Sequence, residues 1–388
     1  MLLFSLLLAL QALLVHSAAL RRDSLTTAAR EKCQTTLQCP PGTLVVSSTA
    51  HPLANFTTLQ SAIDALPNDN SSQTILILSG SYHQQVNITR AGPITLLGEQ
   101  PDPAALTDAA RNTVNLTWAA ANEDNTGESV DNVYSSVMIV SPTLDASLTG
   151  SGTTGYPVPA DTPFGNTDFR VYNIDFRNTW ADYTDGPAHA ISFSRSNGGF
   201  YYCGFYSYQD TVYIGKLGSA YVHSSILAGE TDFLYGFGTL YIQSSQILLR
   251  SCGGGITAWK GTNTTFVNNY GVYIHDSTVR AANTSIAPDI KGACALGRPW
   301  NSLHRSIFAN THEDGSIEPS GYIDWEDRWT ANQTLMAEYR AFGPGFNLTG
   351  REESEVSVLL GDKGYERYSS IEKVFLGDVA WIDWEVAA

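Results

Sequence analysis

Three short runs of aromatic and β-branched residues recur about twenty positions apart: Phe200-Tyr201-Tyr202-Cys203, Ala220-Tyr221-Val222-His223-Ser224 and Leu240-Tyr241-Ile242-Gln243-Ser244. One strand signal per period of this length constrains a chain to a solenoid, because a single repeat cannot bury its apolar face alone. Moving one repeat along such a chain returns to the same place on the next coil, roughly 4.8 Å away. Asp210, in Tyr208-Gln209-Asp210-Thr211-Val212-Tyr213, and Asp232, in Glu230-Thr231-Asp232-Phe233-Leu234-Tyr235-Gly236, are 232 − 210 = 22 positions apart. They are therefore expected as stacked neighbours on one face. Two carboxylates that close cannot both ionise cheaply, so one tends to keep its proton. Two identical side chains then become an acid and a base or nucleophile.

The same pattern continues on either side. Residues 56–66 carry apolar side chains at Phe56, Leu59, Ile63 and Leu66, followed by Pro67. This predicts a helix that closes the first coil. Thr74–Leu78, Gln85–Ile88 and Ile94–Gly98 read as strands, with Ser79-Gly80-Ser81-Tyr82 as a turn. The stretch from Glu123 to Gly155 is rich in Asn, Asp, Ser, Thr and Gly, and predicts long loops around one strand, residues 136–140. From Asp168 the coils become regular, and the tail after Phe346 is expected to pack back along the solenoid. Residues 1–19 form an apolar run ending in small residues, which reads as a secretory signal peptide. Residues 20–45 read as a leader or N-terminal cap, and 46–388 as one all-β parallel β-helix domain.

Secretion agrees with eight Asn-x-Ser/Thr sequons, at Asn55, Asn70, Asn87, Asn115, Asn263, Asn283, Asn332 and Asn347. Cys33 and Cys39 are close enough to close a small loop. Five cysteines leave at least one unpaired within the chain, and Cys203, in a strand signal, reads as a buried thiol. A net charge of −16 argues against nucleic acid as partner. No other segment is apolar enough to span a membrane. The expectation is a soluble, secreted monomer.

Gln209-Asp210-Thr211-Val212-Tyr213, Gly229–Gly236 and Leu296-Gly297-Arg298-Pro299-Trp300 occur in this order and together resemble the signature set of the pectin methylesterases, or pectinesterases. Gly80-Ser81-Tyr82 with Val86, and Gly321–Trp325 followed by Glu338-Tyr339-Arg340, extend the resemblance over residues 45–385. It implies a single-stranded right-handed parallel β-helix of the pectin-lyase-like kind with an N-terminal capping helix. It implies hydrolysis of methyl esters of galacturonate units in pectin, with no cofactor and no metal. Carried over by motif, Asp232 is the nucleophile, Asp210 the general acid and then base, Arg298 the clamp on Asp232, and Gln209 an oxyanion donor. A guanidinium favours an ionised neighbour, and an amide aimed at the tetrahedral oxygen stabilises charge that appears only in the transition state. On a regular strand Gln209 and Asp210 would face opposite sides, so the strand must end or bend there.

Two positions depart from the family pattern. His189 stands where a second oxyanion glutamine is usual, and is expected to donate in its place. Gln84 stands where Glu is usual, a change expected to be structural. Trp300 and Tyr235 are the expected sugar-stacking aromatics. A polygalacturonase would call for clustered acids with an Asp-Asp pair, and the chain contains no Asp-Asp. A calcium-dependent lyase would call for a calcium site of several carboxylates and a basic Arg or Lys, and no such cluster is visible. A non-catalytic carbohydrate-binding protein would not need Asp210, Asp232 and Arg298 together.

Overall fold

The structure, a computed structural model, describes residues 25–123, 128–150, 154–262 and 269–387. The run assigned to a signal peptide and the sequon at Asn263 lie outside them. The described strands form three parallel sheets of eleven, eight and seven strands. Between Gln73 and Gly297 each coil contributes one strand to each sheet in turn. In the coil that carries Asp210 these are Asn197–Tyr201, Gly204–Tyr206 and Val212–Ile214; in the next, Ser219–His223, Ile226–Gly229 and Leu234–Gly236. The fold is a parallel β-helix. Its interior is built from rows of equivalent residues. Val171, Phe200, Val222, Ile242, Ile274 and Phe308 stack in register and are buried along the inner face of the large sheet.

Three strands per coil is more than one strand signal per repeat suggested. The runs that read as strands end at a corner of one or two residues, after which a further strand begins. Asn173, Tyr202, Ser224, Ser244, Asp276, Asn310 and Arg340 all have φ between 47° and 56°. All but Arg340 donate the backbone N–H to the next coil, as Tyr202 does to the carbonyl of His223 at 3.0 Å. The left-handed conformation turns the chain from the first sheet into the second without glycine, at a modest steric cost per corner. A second correction concerns Gly80–His83. It is a strand paired with Val114–Trp118, not a turn, and the corner lies just before it.

Both ends of the solenoid are closed. Helix Leu59–Asp64, capped by the Thr58 hydroxyl, buries Leu59, Ala62 and Ile63 in the first coils. The amide oxygen of Gln84 accepts from Gln60 N at 3.1 Å, so Gln84 fastens this helix. At the far end Glu338 continues the inner row after Phe308, and Glu313 continues the row that contains Val279. Arg351, from helix Leu348–Glu353, binds both carboxylates at 2.8 Å. The tail then runs back along the outer face of the large sheet. Tyr365, Phe375 and Trp381 pack there with Tyr201, Tyr221, Tyr241 and Tyr273, and the Tyr172 hydroxyl donates to Asp383 at 2.7 Å. Disulfides join Cys33 to Cys39 and Cys252 to Cys294, and Cys203 is a buried free thiol. Among the described residues no helix is long and apolar enough to cross a membrane.

Candidate active site

The site lies where the second sheet gives way to the third. The register Ile191↔Val212↔Leu234 places His189, Asp210 and Asp232, each two residues earlier, in one column on successive coils. Asp210 and Asp232 have φ of 58° and 49°. Their N–H groups bond to the Thr231 and Gly255 carbonyls at 3.1 and 2.7 Å. Asp tolerates this left-handed geometry better than most residues. The corner supplies the break that strand alternation required at Gln209 and Asp210. Gln209 pairs with Thr231 through an isolated parallel bridge. Its half-buried side-chain amide bonds to none of the described residues.

Arg298 follows strand Ala295–Gly297 and grips Asp232 with two parallel bonds, Nε to Oδ1 at 2.9 Å and Nη2 to Oδ2 at 2.7 Å. The guanidinium lies over the Trp325 ring, 3.7 Å from its centroid. Asp232 is 2% exposed and Asp210 6%. Burial holds the Asp210 carboxyl well above the usual range, and the Asp232 charge adds to it. Burial raises Asp232 as well, but the bonds and charge of Arg298 pull it back. Of the two, Asp210 is the one whose surroundings favour a proton more strongly, and Asp232 the one favoured as carboxylate.

Trp300 is half-buried, 4.6 Å from the Trp325 ring. The Lys260 ammonium sits 4.3 Å over Trp300. Lys260 is 1% exposed, and burial lowers it to about 7, although Asp210 favours its charged form. The remaining two expectations meet a different geometry. Tyr235 is 3% exposed and packed between Tyr213 and His189, so neither ring face is open to a sugar. His189 is fully buried, which depresses it to about 3 and keeps it neutral. Its Nε2 meets the Tyr235 hydroxyl at 2.5 Å, and its Nδ1 meets the hydroxyls of Ser192 and Ser136 at 2.9 and 3.1 Å. With both nitrogens engaged below the surface, the ring has no path to an oxyanion.

Asn132 and Lys260 complete the site and carried no signal in the sequence. Trp325 belongs to a sequence motif, but its stacking on Arg298 could not be read from it. Asn132 belongs to the irregular stretch after residue 118. The Asp131 carboxylate accepts from the backbone N–H groups of Val133, Thr149 and Gly150 at 2.7–3.0 Å and so pins that loop. The loop around Trp180 and Tyr183, both exposed, docks on the site through Thr184, whose N–H donates to Glu230 at 3.1 Å. Among the described residues no three His, Cys, Asp or Glu side chains are grouped to hold a metal ion.

The family model for pectinesterases matches residues 145–374. A probable pectinesterase A from Aspergillus niger is 28% identical over 357 residues, 91% of each chain. Among solved structures, the pectin methylesterase from Aspergillus niger in deglycosylated form is 25% identical, with a TM-score of 0.70 over 90% of this chain and 98% of that one. A pectin methylesterase in complex with a hexasaccharide, 19% identical, shares the fold with a TM-score of 0.64 over 88% and 98%. With more than half of its length matched by that model, the chain belongs to the pectinesterase family.

Proposed function

We propose that the chain hydrolyses methyl esters of galacturonate units in pectin, with Asp232 as nucleophile and Asp210 as acid and base. The observation that carries this reading is the stacked aspartate pair with Arg298 on one member only. The Asp232 carboxylate attacks the ester carbonyl carbon, and the Gln209 amide donates to the oxyanion. As the tetrahedral intermediate collapses, the C–O bond to methoxide breaks and Asp210 gives up its proton, releasing methanol. Asp210, now a carboxylate, takes a proton from water. The water attacks the acyl-enzyme, frees the galacturonate carboxyl group, and returns Asp232 as a carboxylate and Asp210 as an acid.

Trp300, two residues after Arg298 and only half-buried, is proposed to contact a sugar ring. Tyr235 and His189 are structural supports beneath the site. Six sequon asparagines, at 55, 70, 87, 283, 332 and 347, are exposed, and Asn115 is half-buried. Together with two disulfides this supports a secreted glycoprotein.

Methanol release from highly methylated pectin, with chelator present, tests the reading. The wild type is expected to release methanol and Asp232→Asn to release none. A wild type that instead produces new reducing ends or an unsaturated product would exclude it.

A further inference from the structure

The position expected to hold the second oxyanion amide holds His189, which never reaches the cleft. An amide does reach the reacting pair from another direction. Asn132 Nδ2 lies 3.3 Å from Asp210 Oδ2 and 3.3 Å from the Tyr235 hydroxyl. The Tyr235 hydroxyl is 2.5 Å from His189 Nε2, and His189 Nδ1 is 2.9 Å from the Ser192 hydroxyl, which contacts Ser136 at 2.8 Å. Each group in this chain has one consistent role. Asn132 uses one amide hydrogen on Tyr235, so the phenol points its own hydrogen at His189 Nε2. The neutral ring then carries its proton on Nδ1 and donates it to Ser192. The second Asn132 hydrogen goes to Asp210.

We propose that Asn132 is a positioning residue for Asp210: its amide, oriented through Tyr235 and His189, occupies Oδ2, so that the transferable proton sits on Oδ1 and faces the leaving group. This rests on the pectinesterase reading and adds a part to it. When the proton leaves Oδ1, the bond from Asn132 becomes charge-assisted and stabilises the new carboxylate. Asn132 therefore weakens the hold of Asp210 on its proton. The charged groups facing Asp210 act in the same balance. Asp232, one coil on, strengthens that hold, and Lys260 and Arg298 from later coils weaken it. Asp131 faces Tyr235 and Lys260, with its carboxylate tied to Thr149 and Gly150.

Methanol release across pH by wild type, Asn132→Ala, Asn132→Gln and Tyr235→Phe tests the proposal. Asn132→Ala is expected to lower kcat by up to about 100-fold, the usual cost of a small misplacement, with little change in KM. The alkaline limb, where Asp210 loses its proton, is expected to move up by about one pH unit, the equivalent of one charge-assisted hydrogen bond. Tyr235→Phe should move it the same way by less, and Asn132→Gln should recover part of the loss. An unmoved alkaline limb, or a loss confined to KM, overturns the proposal. A carboxyl-carbon NMR titration of Asp210 in folded wild type and Asn132→Ala reads the same shift without turnover. It separates failure of this proposal from failure of the esterase reading, which would appear as no methanol from the wild type itself.

Discussion

Asp210 and Asp232 have the same backbone conformation, the same column and nearly the same burial, yet the proposed reaction gives them opposite jobs. Arg298 makes the difference. Its two bonds to Asp232 favour that carboxylate, and charge on Asp232 in turn keeps the proton on Asp210. Arg298→Lys keeps the charge and loses the planar fork. The expected result is a fall in kcat of about 100-fold on methylated pectin, with KM little changed, because the ground state binds the sugar elsewhere. A kcat within twofold of the wild type would show that charge alone suffices. The four residues whose placement was legible from the sequence, Gln209, Asp210, Asp232 and Arg298, sit inside coil repeats or beside a strand. Their neighbours repeat, so position on the coil could be counted. Asn132 could not be found that way, because the stretch after residue 118 has no period. His189 could be placed in its column but not its role. Its burial depends on Tyr235 and Ser136, which only the folded coils bring to it.

Turns, more than strands, decide where these side chains point. The strands were legible from β-branched and aromatic runs, but their corners were not. A left-handed corner at Tyr202 or Ser224 uses a residue type with no marked preference for that conformation, so Phe200–Cys203 reads as one strand but is the end of one strand and the corner before the next. The corner ahead of strand Gly255–Trp259 has a stricter demand. Gly254 has φ of 117°, and a Cβ there would lie 2.8 Å from the Arg298 guanidinium carbon. Gly254→Ala should strain the corner and push Arg298 off Asp232. The expected outcome is a folded protein, by near-ultraviolet circular dichroism, with a kcat as low as that of Arg298→Lys. Retention of wild-type kcat would mean that the clamp can give way without loss. The Cys252–Cys294 disulfide ties this corner to the one before strand Ala295–Gly297, so both supports of Arg298 are covalently linked. The pairing of Cys252 with Cys294 could not be read from spacing, since they are 42 positions apart and meet only because the coils stack.

A solenoid's stacked core must stop somewhere, and the two ends of this one stop differently. The N-terminal helix followed an apolar helical period and could be read. The C-terminal closure could not, because it puts Glu313 and Glu338 at positions where the inner rows call for apolar residues. Both are buried, and the one guanidinium of Arg351 serves two carboxylates. One negative charge too many would be sealed in the end of the molecule, so burial and the Glu338 charge push Glu313 up to about 9. Among the described residues its Oε1 has no hydrogen-bond partner, which leaves it able to carry the proton. The native state then holds a proton between the ordinary glutamate value and about 9 that the unfolded chain has released. Stability from this group is complete at low pH and is lost as pH rises through that window. Glu313→Gln removes the proton requirement while keeping the shape. Its stability relative to the wild type should rise with pH by at most about 1.4 kcal/mol per unit, one proton's worth, and level off above the upper value. Asp210, Lys260 and the buried histidines titrate in both proteins and cancel in the comparison. Urea unfolding of the two at about pH 5.5, 7 and 8.5 measures this difference. A constant difference would mean that Glu313 is ionised in the native state and that Arg351 alone balances both carboxylates.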